Sequence, residues 1–228
     1  MDGNERLAAY LLHSRRYRDS SLIVDLFTRE RGRVACVARG ALHAKSKLPV
    51  RHPFQLLTIG FRGRGDVATL VAAEALAPPT ALSGRRLYCG LYLNELLLKS
   101  TARQDPYPSV FDSYAESLGQ LQGSSPVEPV LRRFEVHLLD QLGLGLLLDH
   151  DTQGQPVNTD SRYTYQIDAG PRQVGADDPQ ALSGSTLLAL KSGQFDDASV
   201  MREARDLMRR VLDHHLGGQA LRSRELFQ

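Results

Sequence analysis

The chain contains no tryptophan, only two cysteines and 7% aromatic residues. Two cysteines, Cys36 and Cys89, cannot build a disulfide framework or a four-ligand zinc site, and their scarcity fits a reducing, cytoplasmic compartment. No run approaches the roughly 18 consecutive apolar residues of a membrane-spanning helix. Met1 to Arg6 is acidic and polar, without the basic-then-apolar layout of a secretory signal. Signatures of reaction chemistry are missing too. G-x-x-x-x-G-K-[ST], G-x-G-x-x-G, G-x-S-x-G and H-E-x-x-H do not occur. Lone Asp25 and Asp66 lack the partner carboxylates of two-metal nuclease chemistry. His214 and His215 are sequence neighbours, so their side chains are expected to diverge on a helix. Asp149-His150-Asp151 reads as a solvated turn rather than a cation site. No catalytic residue, cofactor or metal site is expected.

What is present is a lopsided charge. The 228 residues carry a formal net charge of +2, but residues 1–80 hold 13 Lys/Arg against 7 Asp/Glu, and the remainder holds 15 against 19. Within 29–64, nine cations face one acid, Glu30. The first part is built to meet a polyanion, and the second is not.

The first eighty residues read as short strands. Ser21–Thr28 and Arg33–Arg39 are β-rich and joined by Glu30-Arg31-Gly32. Phe54–Phe61 and Val67–Ala75 flank Arg62-Gly63-Arg64-Gly65, a hairpin with a glycine-bearing tip. Leu7–His13 adds a fifth strand, and a small curved barrel buries such strands without long open edges. Period two places Arg33, Ala35, Val37 and Arg39 on one side of their strand and Val34, Cys36 and Ala38 on the other. Gly40–Pro53 is basic, lacks period and is expected to be a long mobile loop.

Ala77-Pro78-Pro79-Thr80 marks a boundary, giving expected domains of 1–80 and 81–228. Helices are expected over 83–99, with Leu87, Leu91 and Leu98 inward, over 109–122 and over 128–142. Residues 149–180 suggest a projecting β-hairpin. A short helix over 182–191 precedes a long one to about 216, with Val200, Ala204, Leu207, Val211 and Leu212 as its inward stripe.

A curved β-domain with arginines on a face and a basic loop suits single-stranded nucleic acid. The candidate contacts are Arg15, Arg31, Arg33, Arg39, Lys45, Lys47, Arg51, Arg62 and Arg64. Aromatics there are few (Tyr17, Phe27, Phe54, Phe61), so binding is expected to be electrostatic and tolerant of sequence. An RNA-binding barrel protein of translation or RNA maturation is the alternative from another class.

The chain also resembles the bacterial RecO family of DNA-repair proteins along nearly its whole length. The matching stretches include Leu12-His13-Ser14-Arg15, Gly32-Arg33-Val34, Ala38-Arg39-Gly40-Ala41 and Gly63-Arg64-Gly65. Further on come Leu87–Leu97, Leu131-Arg132-Arg133-Phe134-Glu135, Leu216-Gly217-Gly218 and Ser223–Phe227. Each is weak alone, and their shared order is specific. The resemblance implies an α+β chain: an N-terminal five-stranded oligonucleotide/oligosaccharide-binding (OB-fold) barrel, then a helical domain with a small hairpin. It also implies a non-enzymatic recombination mediator. Such a protein binds single- and double-stranded DNA, anneals complementary strands, partners with RecR, engages the C-terminal tail of single-stranded-DNA-binding protein and helps load RecA. Arg132 matches the family position linked to the tail contact. Arg133, Phe134 and Arg205 are the neighbouring candidates: a cation beside an apolar groove suits a peptide ending in a carboxylate. Some family members carry a four-cysteine zinc motif in the region equivalent to 149–172. This sequence has no cysteine there, so no structural zinc is expected.

Overall fold

Five strands open the chain: β1 (Leu7–Tyr17), β2 (Ser21–Thr28), β3 (Gly32–Ala38), β4 (Leu56–Arg62) and β5 (Ala68–Ala75). The computed structural model describes residues 6–63, 65–175 and 178–227, and Arg64 therefore lies outside the described residues. The strands close into a barrel in the order β1-β2-β3-β5-β4, with β3 and β5 parallel across the closure. Alternation explains the filling: Leu7, Ala9 and Leu11 of β1, Leu22, Val24 and Leu26 of β2, and Val34, Cys36 and Ala38 of β3 all point inward. A bulge between Leu11 and His13 re-aims the second half of β1. At the β2–β3 turn, Gly32 has φ +61°, and a Cβ there would lie 1.8 Å from the Asp105 carbonyl oxygen, so only glycine fits.

The 39–55 connection departs from the expected mobile loop, because it is pinned along its length. Leu42 N–H donates to Ser20 O at 2.9 Å, Phe54 N–H donates to Leu11 O at 3.0 Å, and Ala41 and Val50 are fully buried.

Two helices, α1 (Gly84–Ser100) and α2 (Pro108–Gln122), cover one part of the barrel wall. Tyr10 stacks at 5.3 Å on Phe111 and 5.1 Å on Tyr114, and Phe27 lies 5.8 Å from Phe111. Buried Asn94 donates to Leu12 O at 2.7 Å and accepts from the Tyr114 hydroxyl. The expected α1 stripe needs correction. Leu87, Leu91 and Leu98 are only half-buried, while Cys89, Tyr92, Leu93, Leu96 and Leu97 are fully buried. Apolar residues are spread round the helix among Arg85, Arg86, Asn94, Glu95 and Lys99, so its sequence does not reveal which face turns inward.

The remaining elements are α3 (Val127–Gln141), β6 (Arg162–Gln166), β7 (Gly170–Val174), β8 (Leu182–Ser183), α4 (Gly184–Ser192), α5 (Ala198–His215) and a closing 3-10 turn (Arg222–Phe227). The β6–β7 hairpin gains β8 as a third strand, in the order β7-β6-β8. Ser183 caps α4, and Asp197 caps α5 by accepting from Ser199 and Val200 N–H. Contacts divide the chain into two compact units, 6–123 with 221–227, and 124–220. The first unit thus includes α1, α2 and the closing turn along with the barrel.

Candidate nucleic-acid interface

Strand pairing defines one row of residues across the barrel. Arg15 is opposite Ile23, Ile23 opposite Val37, Val37 opposite Thr69, and Thr69 opposite Arg62. Directly paired residues share a face, and their neighbours Leu22, Val24, Cys36, Ala38, Ala68 and Leu70 belong to the interior, so this row faces outward. Exposed Arg15 and Arg62 end it, and half-buried Ile23, Val37 and Thr69 form a shallow floor. Arg39, two residues beyond Val37, is exposed next to the row. The 39–55 loop, tied to Ser20 at the same barrel end, carries exposed Lys45 and Lys47. Exposed Arg16 and Arg18 belong to that end as well. Arg18 lies 5.2 Å over the Tyr17 ring.

Three other candidates do not join this group. Arg33 is half-buried, and its guanidinium donates to Thr101 O at 2.8 Å. Burial, together with neighbouring Arg103, holds it below the usual arginine range. The C-terminal end of α1 covers this stretch of the outer face, which is why Arg33 and Arg39 fare differently on one strand. Arg51 is exposed, but its guanidinium is spent on fastening the loop, with Nε and Nη2 on Ala41 O at 3.2 and 2.6 Å and Nη2 on His43 O at 3.2 Å. Arg31 is in the β2–β3 turn, at the opposite end of β3, about 20 Å away at the usual strand rise. Ile23, Val37 and Thr69, the floor of the row, come together only through strand pairing, although period two already puts Val37 on the Arg39 side of β3. Their signal was the same period-two count that placed Arg33 and Arg39, once strand pairing is known. Cys36 is fully buried, and burial pushes its thiol up to about 12, so it is a packing residue.

The cations assigned to peptide recognition also separate. Arg132 is buried on α3 and pairs with the buried carboxylate of Glu135 at 2.5 Å. Phe134 is fully buried. Both therefore belong to the interior, because α3 turns that face to α4 and α5. Arg133 is exposed and donates to Gly193 O at 3.1 Å, beside a cavity of about 360 Å³. Val136, Leu146, Leu148 and Leu190 give the cavity apolar walls, and His137 and Lys191 stand with Arg133 around it. Lys191 pairs with Asp149, whose carboxyl is pushed down to about 2 by Lys191 and His150. Arg205 lies exposed on α5, 3.1 Å from Asp206.

The adjacent His214 and His215 do not diverge as expected. Their rings stand edge to face with centroids 5.2 Å apart, because the helix ends there and both turn toward Asp168 of the β6–β7 connection.

Family models match the chain end to end: Recombination protein O N terminal over residues 1–79 and Recombination protein O C terminal over residues 82–225. The DNA repair protein RecO of Methylococcus capsulatus is 42% identical over 222 residues, covering 96% of this chain and 91% of that relative. The protein of the same name from Aromatoleum aromaticum is 43% identical over 224 residues (96% and 93%). That of Pseudomonas aeruginosa is 41% identical over 220 residues (96% and 93%).

Proposed function

This chain belongs to the recombination protein O family of DNA-repair proteins, and we propose from that premise that it is a mediator which grips DNA on the open barrel face and anneals complementary strands. The observation that carries the reading is the five-strand row. Arg15 and Arg62 close the two ends of the row, with Arg39 and the loop lysines alongside, so that they can meet phosphates on either side of the Ile23-Val37-Thr69 floor, which is apolar enough to lie under bases. Such a grip holds a strand without reading it, which suits annealing of any complementary pair.

The tail of single-stranded-DNA-binding protein fits the Arg133 cavity. Its apolar walls receive hydrophobic residues and Arg133 the terminal carboxylate, beside Asp140 and the Asp149 already paired with Lys191. Of the candidates for the tail contact, exposed Arg133 takes the role that the family resemblance pointed to at buried Arg132. RecR partnership and RecA loading follow from family membership alone.

The test is annealing of complementary oligomers precoated with the cognate single-strand binder. Wild-type protein is expected to accelerate it, and Arg15→Glu, Arg39→Glu and Arg62→Glu together to abolish the acceleration. By fluorescence anisotropy each lost phosphate contact lowers the salt slope of single-strand binding by about 0.7. Unchanged affinity and slope in the triple variant overturn the assigned face. Stronger competition by RNA than by DNA oligomers favours the RNA-binding reading instead.

A further inference from the structure

The unit formed by 124–220 contains a cluster that the DNA and peptide roles leave unused. Asp168 occupies the turn between β6 and β7, with φ +71°. His214 and His215 are the last two residues of α5. One ligand atom from each of the three lies within 4.8 Å of the other two, and His214 Nε2 is 3.6 Å from Asp168 Oδ2. Among the described residues this is the one group of three or more potential metal ligands so placed.

Two features beside the cluster favour a cation there. A cavity of about 200 Å³ adjoins the cluster, lined by Tyr165, Ile167, Asp168, Val211 and His215, so a bound ion has room for a further ligand. The end of α5 carries the negative pole of the helix, which attracts positive charge.

We propose that Asp168, His214 and His215 bind one divalent transition-metal ion of the zinc class, leaving a fourth position toward the cavity. Two imidazoles and a carboxylate are the donor set that zinc, nickel and copper prefer over magnesium or calcium. Metal–ligand bonds of about 2.0–2.2 Å set tetrahedral donors roughly 3.3 Å apart. Rotation of the exposed Asp168 and His214 side chains supplies the remaining closure. The ion ties the β6–β7 turn to the end of α5 and so staples the small sheet to its helix. The buried thiols of Cys36 and Cys89 do not compete for it.

The full chain, stripped with chelator, is titrated with zinc chloride by calorimetry, and with cobalt chloride by visible absorption. One ion per chain is expected, with the intense visible bands of four-coordinate cobalt and a rise in Tm on adding zinc. His214→Ala/His215→Ala abolishes all three, Asp168→Asn weakens binding at least tenfold, and His150→Ala leaves binding intact. Asparagine tolerates the left-handed backbone at 168, so that variant tests the ligand without straining the turn. Equal Tm values without metal establish that the variants are folded. Absence of a stoichiometric ion in the wild-type chain, or titrations unaltered by Asp168→Asn and by the double variant, overturns the proposal.

Discussion

Arg132 and Arg133 are neighbours in sequence and meet opposite surroundings. Arg132 lies inside α3's packed face with its charge against Glu135, and its Nε is buried without a hydrogen-bond partner. Removing one member of a buried pair strands the other charge, so Arg132→Ala is expected to cost about 3 kcal/mol in urea unfolding. Arg133→Ala leaves the exposed helix surface stable within about 0.5 kcal/mol and is expected to weaken tail-peptide binding at least tenfold in a calorimetric titration. Peptide binding that survives Arg133→Ala in a folded chain counts against the cavity assignment. The sequence shows two arginines before a phenylalanine, and only helix rotation decides which one is internal. Arg33 on β3 and Arg51 in the 39–55 loop are hidden from the sequence for another reason. Their composition and charge were legible, but their partners are carbonyl groups (Thr101, Ala41 and His43) that come close only when the chain folds. A residue list gives no warning of such backbone acceptors.

Elements were easier to read than partners. All five barrel strands were visible in alternation and glycine turns. The two-residue β8 was not visible, because a strand that short leaves no period. Its place is fixed by α5. Glu203 accepts hydrogen bonds from Ser183 N–H at 2.8 Å, Ser183 Oγ at 2.9 Å and Thr186 Oγ1 at 2.6 Å, and pairs with Arg162 at 3.1 Å. Burial alone would raise its pKa. The Thr186 and Ser183 donors and Arg162 outweigh burial and hold it below the usual 4.5. A depressed carboxylate stabilises the fold above its unfolded value and loses that contribution as pH falls through the folded one. Thermal melts are therefore expected to show stability declining below about pH 4.5, with a shallower decline in Glu203→Gln. A variant whose pH profile superimposes on that of the wild-type chain would exclude this role for Glu203.

At the scale of the molecule, chain order and spatial order part company. The unit begun by the barrel is completed by residues 221–227, which return after 124–220 has formed a unit of its own. Glu95 of α1 accepts from Arg222 N–H at 3.0 Å and from Ser223 N–H and Oγ at 2.8 and 2.6 Å. Phe227 sets its ring edge-on to Tyr88 and Tyr92 at 6.3 and 6.5 Å. Deleting the chain from Leu221 onward is expected to lower the Tm of the first unit by several degrees, roughly what 1–2 kcal/mol means for a domain near 130 residues. A melt that is unmoved by the deletion would make the return segment ornamental. The prolines of 77–80 suggested a boundary near residue 80, whereas the compact units part at 123–124; nothing in the sequence hinted at the return, because its anchors are one carboxylate and two rings more than a hundred residues away.

On the ribosome, this interleaving delays maturation. The barrel emerges early with α1 lacking its last neighbour, and Glu95, paired with Lys99 on its own helix, gains its remaining donors only when residues 222 and 223 have been synthesised. A transcript cut short anywhere within 124–220 would yield a first unit without its clasp, an easy substrate for cellular proteases, so the arrangement favours the survival of chains that have been read through.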